Sequence, residues 1–406
     1  MTSGLLKPGT AYDEKGSINF QDAAFQIEFL EKIENLISDL EPERISKSMN
    51  GYGSTIDTPA PKYGSKFTEI KEDKTDFDSV DANSYFVPAP YRFNIKDGTL
   101  MTQFGILKLN QFVGRESLFH FPGHKFSRFE RVKFADDRET LFINTKDIGL
   151  EISRGYSVQN GIQENYYHWL VLILSKINSR FLEDIEGPKP TLIFSPFEND
   201  IQKQSAHIIS EYYGLSHISH RDNVTTFVND LTYPTINRAG GLRPEPLVKD
   251  TFSILKGALY DPKYPSHERI YISRRDTGKR VLRNEREVED LLSERYGFLI
   301  VSLSDKDLYD QVNLFSRAKV VISPHGAGLT NIGFCEPQTS VLELQMPDYL
   351  NWCYRRLASI HDLRYGFIYG QSDSSIELHS DLRSYKISLE SLSRATSEIL
   401  TDFIYR

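Results

Sequence analysis

Lys319-Val-Val-Ile-Ser-Pro-His325-Gly-Ala-Gly328-Leu-Thr-Asn331 joins an apolar run to a pair of glycines. The β-branched residues Val320, Val321 and Ile322, bounded by Ser323-Pro324, predict a strand buried on both faces, as strands are in a parallel sheet. The run passes straight into Gly326 and Gly328, where the backbone can turn sharply and approach a ligand closely. If Leu329-Thr330-Asn331 opens a helix, its free amides and positive dipole end suit an anion. A Gly-x-Gly turn is also the common form of a tight connection, so the pattern needs support from its surroundings.

Ser340-Val-Leu-Glu-Leu344 supplies some of it. It reads as the next strand, with the single acid Glu343 inside an apolar run, where an unpaired carboxylate would be costly. Two readings stay open. Glu343 is either a buried acid tied to a structural arginine, or a carboxylate at a strand's carboxyl end accepting ribose hydroxyls, where open α/β sheets bind ligands.

At 406 residues the chain has room for two or three domains. A net charge of −8 argues against a general nucleic-acid binder, so any phosphate recognition must be local. The 22 Tyr and 25 Phe would suit ring-lined sugar or base pockets as well as ordinary cores. The two cysteines, Cys335 and Cys353, match no zinc or thioredoxin spacing, so neither a disulfide framework nor a metal site is indicated. Met1-Thr-Ser-Gly-Leu-Leu-Lys7 lacks a secretory apolar segment, and no stretch of about 18 apolar residues occurs. The expectation is a cytoplasmic protein, at most peripheral at the inner face of a membrane.

Along the chain, residues 1–80 read as an extension. Ile27, Leu30, Ile33, Ile37 and Leu40 recur at helical spacing, predicting one amphipathic helix from Phe20 to Leu40, available to its own core, to a membrane surface or to a homodimer partner. Residues 43 to about 80, with Gly51, Gly53, Pro59, Pro61 and Gly64, read as a long connection. Residues 81–238 predict a first α/β domain with a β-rich entry, and 239–387 a second in which strands and helices alternate, as in a mostly parallel sheet. A terminal helix occupies 388–406.

Two further clusters could carry chemistry. Arg269-Ile-Tyr-Ile-Ser-Arg-Arg-Asp276 is a strand ending in Arg274 and Arg275, with Arg280 and Arg283 close behind. Planar guanidinium forks suit phosphate oxygens, although Asp276, Glu285 and Glu287 could pair with them instead. Glu164-Asn-Tyr-Tyr-His-Trp169 places His168 in an aromatic patch, either as a satisfied core residue or as a general base toward a hydroxyl. Asp305-Lys-Asp307 has the spacing of a metal-binding Asp-x-Asp but precedes a helix, as a cap would.

In this order, Asn165-Tyr-Tyr-His-Trp-Leu170, Tyr271-Ile-Ser-Arg274, Asn284-Glu285, Gln311-Val-Asn-Leu-Phe315, Pro324-His-Gly-Ala-Gly-Leu-Thr-Asn331 and Val341-Leu-Glu343 resemble the signature of the glycosyltransferase 61 family. The resemblance implies a GT-B architecture, two Rossmann-like domains facing across a cleft, and inverting sugar transfer without an obligatory metal or other cofactor. A nucleotide sugar is the implied co-substrate, UDP the favoured carrier, and a glycan or lipid-linked oligosaccharide of surface polysaccharide assembly the acceptor. On that reading Arg274, with Arg275 and Arg280 in the same cluster, faces the diphosphate. His325, Gly326, Ala327, Gly328, Leu329, Thr330 and Asn331 cradle it, and Glu343 lies near the ribose. Asn165, Tyr167 and Trp169 lie on the acceptor side, where His168 or Glu164 is the base. One departure stands out. The family's acid four positions beyond this His is Leu172 here, and its usual Pro-Arg is Ser175-Lys176. A catalytically silent nucleotide-binding scaffold, or a pyruvyl or phosphoryl transferase on a similar frame, therefore stays open. Arg274 is expected to matter more than Arg280, which the sequence puts on an exposed loop.

Overall fold

The computed structural model describes residues 24–26, 43–44, 54–58, 61–65, 84–87, 91–101, 105–109, 112–113, 132–134, 140–143, 147–159, 163–183, 185–219, 224–235, 244–347, 349–372 and 383–404. The chain divides into two compact units, one of Met1–Ser54 with Pro88–Gly241, the other of Thr55–Val87 with Leu242–Arg406. Of the helix expected over Phe20–Leu40, only Ala24–Gln26 is described. It is a strand instead, pairing antiparallel with Thr140–Ile143, so its backbone groups are met by a distant strand that helical periodicity could not reveal. The rest of that helix, and most of the connection after it, lie outside the described residues.

The first unit is built on a mixed eight-stranded sheet. His217–Ser219, Thr191–Phe194, Asp147–Ser157 and Val224–Thr235 lie side by side in that order, all parallel. Tyr91–Met101, Ile106–Leu109 and Phe112–Val113 continue it antiparallel. Ile95, Leu107, Ile193, Val228 and Leu231 belong to one hydrophobic core cluster. The chain runs from Asp147–Ser157 outward to His217–Ser219, then returns to the opposite side of its starting strand, so the strand order reverses there. Between these strands Asn199 caps the helix Asp200–Tyr213 and Gly214, with φ 62°, ends it in the left-handed conformation that suits glycine.

The second unit holds a five-stranded sheet in the order Leu299–Val301, Arg269–Ile272, Val320–Pro324, Ser340–Gln345, Arg364–Tyr369, every pairing parallel. Helices Val248–Leu259, Glu285–Asp290, Leu308–Arg317, Cys353–Ile360 and Leu389–Ile404 accompany it. All residues of Val320–Pro324 and Ser340–Gln345 are buried, which explains their continuous apolar sequence. Burying each such Val, Ile or Leu is worth roughly 1.5–3 kcal/mol. Asp307 is a helix cap, its carboxylate accepting the Asp310 amide at 2.8 Å. The terminal helix docks through Leu392, Ala395 and Ile399.

Residues 61–65, read from sequence as part of a connection, run along the outer strand of this sheet. Lys62 and Ser65 donate their amides to Tyr365 and Phe367 at 2.8 and 2.7 Å. Gly64 has φ 81°, and a Cβ there would stand 2.0 Å from the Phe367 carbonyl oxygen, so the approach requires glycine. Tyr63 donates to Asp402 at 3.0 Å, tying the segment to the terminal helix. Among the described residues no helix is long and apolar enough to cross a membrane.

Candidate functional site

In the second unit the strand order reverses between Arg269–Ile272 and Val320–Pro324. Chain connections leave these two neighbours in opposite directions, so the loops at their carboxyl ends part and leave a crevice, the usual ligand position in such sheets. Arg274 and His325 lie at these two strand ends. The Arg274 guanidinium donates through Nη1 to the carbonyl of His325, and through Nη2 to Lys279 O at 3.5 Å. Its Nε is buried without a partner. Among the described residues the guanidinium thus meets carbonyls and no carboxylate, and leaving a mostly buried positive charge so is costly unless an anion arrives. Burial and the neighbouring Arg280 both lower its hold on its proton.

Gly326 is what lets Arg274 lie there: a Cβ would fall 1.4 Å from Nη1. Gly328 allows a second close approach, since its Cβ would be 2.9 Å from Leu303 and 3.3 Å from Ile272. From Ala327 the chain enters a 3-10 helix to Phe334, two residues earlier than the expected start at Leu329. The Leu329 amide is taken by Gly326 O at 2.9 Å. Asn331 turns inward, donating to Gln311 Oε1 at 2.8 Å and Gly328 O at 3.2 Å. It braces the turn against the helix Leu308–Arg317. Thr330 and Leu329 are buried, Thr330 against the Tyr354 hydroxyl.

Glu343 is fully buried, and the arginine offered as its partner is not where its carboxylate goes. Cross-strand register explains the partners it has. Ser323, Glu343 and Phe367 stand abreast, so His325 and Tyr365, each two residues away along its strand, share the face of Glu343. His325 Nδ1 lies 2.5 Å from Glu343 Oε1, and the Tyr365 hydroxyl donates to Oε2. Rings of Tyr349 and Tyr354 flank His325 at 5.5 and 5.1 Å. Burial pulls the His325 pKa down, Glu343 opposes this, and Arg280 and Arg274 reinforce it.

The arginine cluster separates into distinct roles. Arg275 is 54% exposed and pairs with Glu289 at 3.1 Å. Arg280 is not out on an exposed loop: it is half-buried, with its guanidinium 4.6 Å from the Tyr349 ring centroid. Its backbone adopts φ 52°, a left-handed conformation costing a non-glycine residue about 1 kcal/mol, held in place beside His325. Glu285 accepts the Arg274 amide at 2.7 Å and the Tyr271 hydroxyl at 3.0 Å, which orients the start of the arginine loop. Asn284 clasps the backbone of Ile387, donating at 2.9 Å and accepting at 3.1 Å. Sequence reasoning missed Tyr349, Tyr354 and Tyr365, and the only hint was the high tyrosine content.

In the first unit the equivalent reversal lies beside Asp147–Ser157, and Glu164–Trp169 follows that strand's carboxyl end. Asn165 caps the helical turn Tyr166–His168, accepting the amides of Tyr167 and His168 at 2.9 and 3.4 Å. Trp169 is a core residue, donating to Ser205 at 2.9 Å and packing on Phe194 and Phe197. Tyr167 is buried with its ring edge-on to His168 at 5.5 Å. Glu164 is exposed and His168 half-exposed, so these two remain reachable by a ligand. Leu172 is buried in a π-helical turn, Trp169–Ile173. Lys176 is sealed with its ammonium on Gln159 O at 3.1 Å, and burial lowers its pKa to about 8. Among the described residues no three His, Cys, Asp or Glu side chains gather as a metal ion would require.

No curated protein matches the chain. Residues 166–342 match the family model described as Glycosyltransferase 61. That span takes in His168, Arg274 and the whole turn from His325 to Asn331, and over it the chain is similar to the glycosyltransferase 61 family.

Proposed function

We propose that this protein is a glycosyltransferase that moves a sugar, with inversion, from a nucleotide donor to the hydroxyl of a glycan or lipid-linked oligosaccharide, in surface polysaccharide assembly on the cytoplasmic side. The observation that carries the donor half is Arg274, a guanidinium at the strand-order reversal that among the described residues meets only carbonyls and keeps one buried donor atom unused. A diphosphate beside it would also meet the amide end of the Ala327–Phe334 helix and the charge of Arg280. Two α/β units, each with its own reversal, support the GT-B reading.

Inversion requires a base on the acceptor hydroxyl and stabilisation of the leaving diphosphate. His168 is the base. Its ring accepts the hydroxyl proton as the acceptor oxygen bonds to the anomeric carbon, while the bond from that carbon to the phosphate oxygen breaks and its electron pair leaves with the diphosphate. Fixed amides and guanidinium groups offset the resulting charge, and they can do so without a metal ion. Calorimetric titration of UDP, CMP and GDP, with and without EDTA, tests the donor half. UDP should bind best and EDTA should change nothing; no binding by any of the three sinks the assignment. Leu172, an apolar residue sealed in the turn where the family has an acid, favours a second reading, a nucleotide-binding module without turnover. Donor hydrolysis or transfer to mixed acceptors separates the two.

A further inference from the structure

Glu343 and Tyr365 do more than fill the core behind the glycine turn. Both Glu343 oxygens are engaged, one with His325 Nδ1 and the other with the Tyr365 hydroxyl, so the carboxylate and the imidazole hold each other in one orientation. In a neutral imidazole facing a carboxylate, the proton sits on the nitrogen that faces it, here Nδ1. That leaves Nε2 as a bare lone pair. Among the described residues no group hydrogen-bonds to it, and the side chain keeps 6% of its surface exposed. A lone pair repels phosphate oxygen, whereas an N–H attracts it. The groups facing this ring are Glu343 and Tyr365 from the two following strands, Arg274 and Arg280 from the loop after Arg269–Ile272, and Tyr349 and Tyr354 on its two sides. Cys353 and Tyr385, each buried near Glu343, hold their protons. Without ligand, burial and the two arginines keep the imidazole neutral. A diphosphate would offset both arginines and reverse that balance.

Resting on the donor-site reading above, we propose that His325 binds one proton from solvent as the nucleotide diphosphate binds, becoming an imidazolium clamped between Glu343 and a phosphate oxygen. Nδ1–H remains on Glu343, the new proton is on Nε2, and Nε2–H donates to the phosphate. In the transfer step this hydrogen bond strengthens as charge develops on the leaving diphosphate. Glu343 and Tyr365 are positioning residues, acting only through His325.

The test is calorimetry of UDP on the intact chain at pH 7.5, in buffers of different ionisation enthalpy. At that pH the terminal phosphate of UDP, with a pKa of about 6, has already lost its proton. The wild type should take up about half a proton or more per UDP bound, and its affinity should fall by up to about tenfold per pH unit between pH 7 and 8. His325→Gln should bind about tenfold or more weakly, with no uptake, and Glu343→Gln should lower the uptake while circular dichroism shows the fold kept. If His325→Gln does not fold, the wild-type proton count and pH slope decide alone. Binding of UDP without proton uptake overturns the inference and leaves the donor site standing. Uptake that persists in folded His325→Gln overturns it too, since the proton then goes elsewhere. No binding of UDP, CMP or GDP overturns both.

Discussion

Two strand-order reversals in one chain are furnished in opposite ways. In the second unit nearly every polar residue around the reversal is buried and spoken for: Asn331 holds Gln311, Glu285 holds Arg274 and Tyr271, Glu343 holds His325 and Tyr365. What remains for a ligand is positive charge that is already fixed in place. In the first unit Asn165 is a helix cap and Trp169 a core anchor, and the groups left reachable are His168, on a short irregular helical run, and Glu164, just before its cap. The difference matches the two roles proposed above. Charge stabilisation depends on preorganisation, because dipoles and cations that need not move cost nothing at the moment of reaction. A general base needs only reach and a suitable proton affinity.

Perturbing each region in turn sharpens this contrast. The largest effect should come from His168→Asn, which should lower the transfer rate by about 10²–10⁴-fold while UDP affinity stays within error. If turnover survives, the base is a carboxylate such as Glu164, and the first unit is as much scaffold as the second. Next come Arg274→Ala and Gly326→Ala, which should weaken nucleotide binding alike, by about 1.5–3 kcal/mol, because a methyl group at 326 occupies the place of the Arg274 guanidinium. A Gly326→Ala protein that binds UDP normally would show that Arg274 is not part of the anion site. Asn284→Ala should cost about 1–3 kcal/mol of stability, read as a lower denaturant midpoint, and leave UDP affinity nearly unchanged, since its partner is the Ile387 backbone. Arg275→Ala should be the mildest, within about 1 kcal/mol on any measure, since its ion pair with Glu289 is half-exposed. A large loss of affinity there would put Arg275 back among the phosphate ligands.

The part of the second unit from Val248 to Gln345 was legible in sequence to within a few residues, because its pattern is local: β-branched runs mark Val320–Pro324 and Ser340–Gln345, helical spacing marks Leu308–Arg317, and Asp307 announces its cap, whereas the helix Cys353–Ile360 and the strand Arg364–Tyr369 were not read. What sequence could not supply depends on register and distance. Glu343 was conspicuous as an acid in an apolar strand, yet its partners follow only once three strands are aligned, which put Tyr365 beyond prediction. Arg280 sits six residues past Arg274 in a loop, and nothing in the intervening residues told that the chain folds it back onto Tyr349. In the first unit the strands between 147 and 235 are parallel, as their alternation with helices implied, but nothing told that Tyr91–Met101 of the β-rich entry pairs antiparallel with a strand over a hundred residues later. Apolar patterning carries no strand direction.

The strip at residues 61–65 has a consequence for how the protein is made. It borders the outer strand of the five-stranded sheet, and Ser65 accepts the amide of Tyr369, 304 positions onward. At a synthesis rate of about 5–20 residues per second, the strip leaves the ribosome some 15–60 s before the strand it covers exists. In that interval the first unit can fold, while its own N-terminal neighbour waits. Once the sheet closes, the strip shields an edge of unpaired amides and carbonyls that would otherwise recruit another chain. A fragment beginning at Leu242 therefore carries every residue of the proposed anion site but not the segment that covers this edge, and should aggregate when expressed alone; supplying residues 55–87 as a separate peptide should restore it to solution.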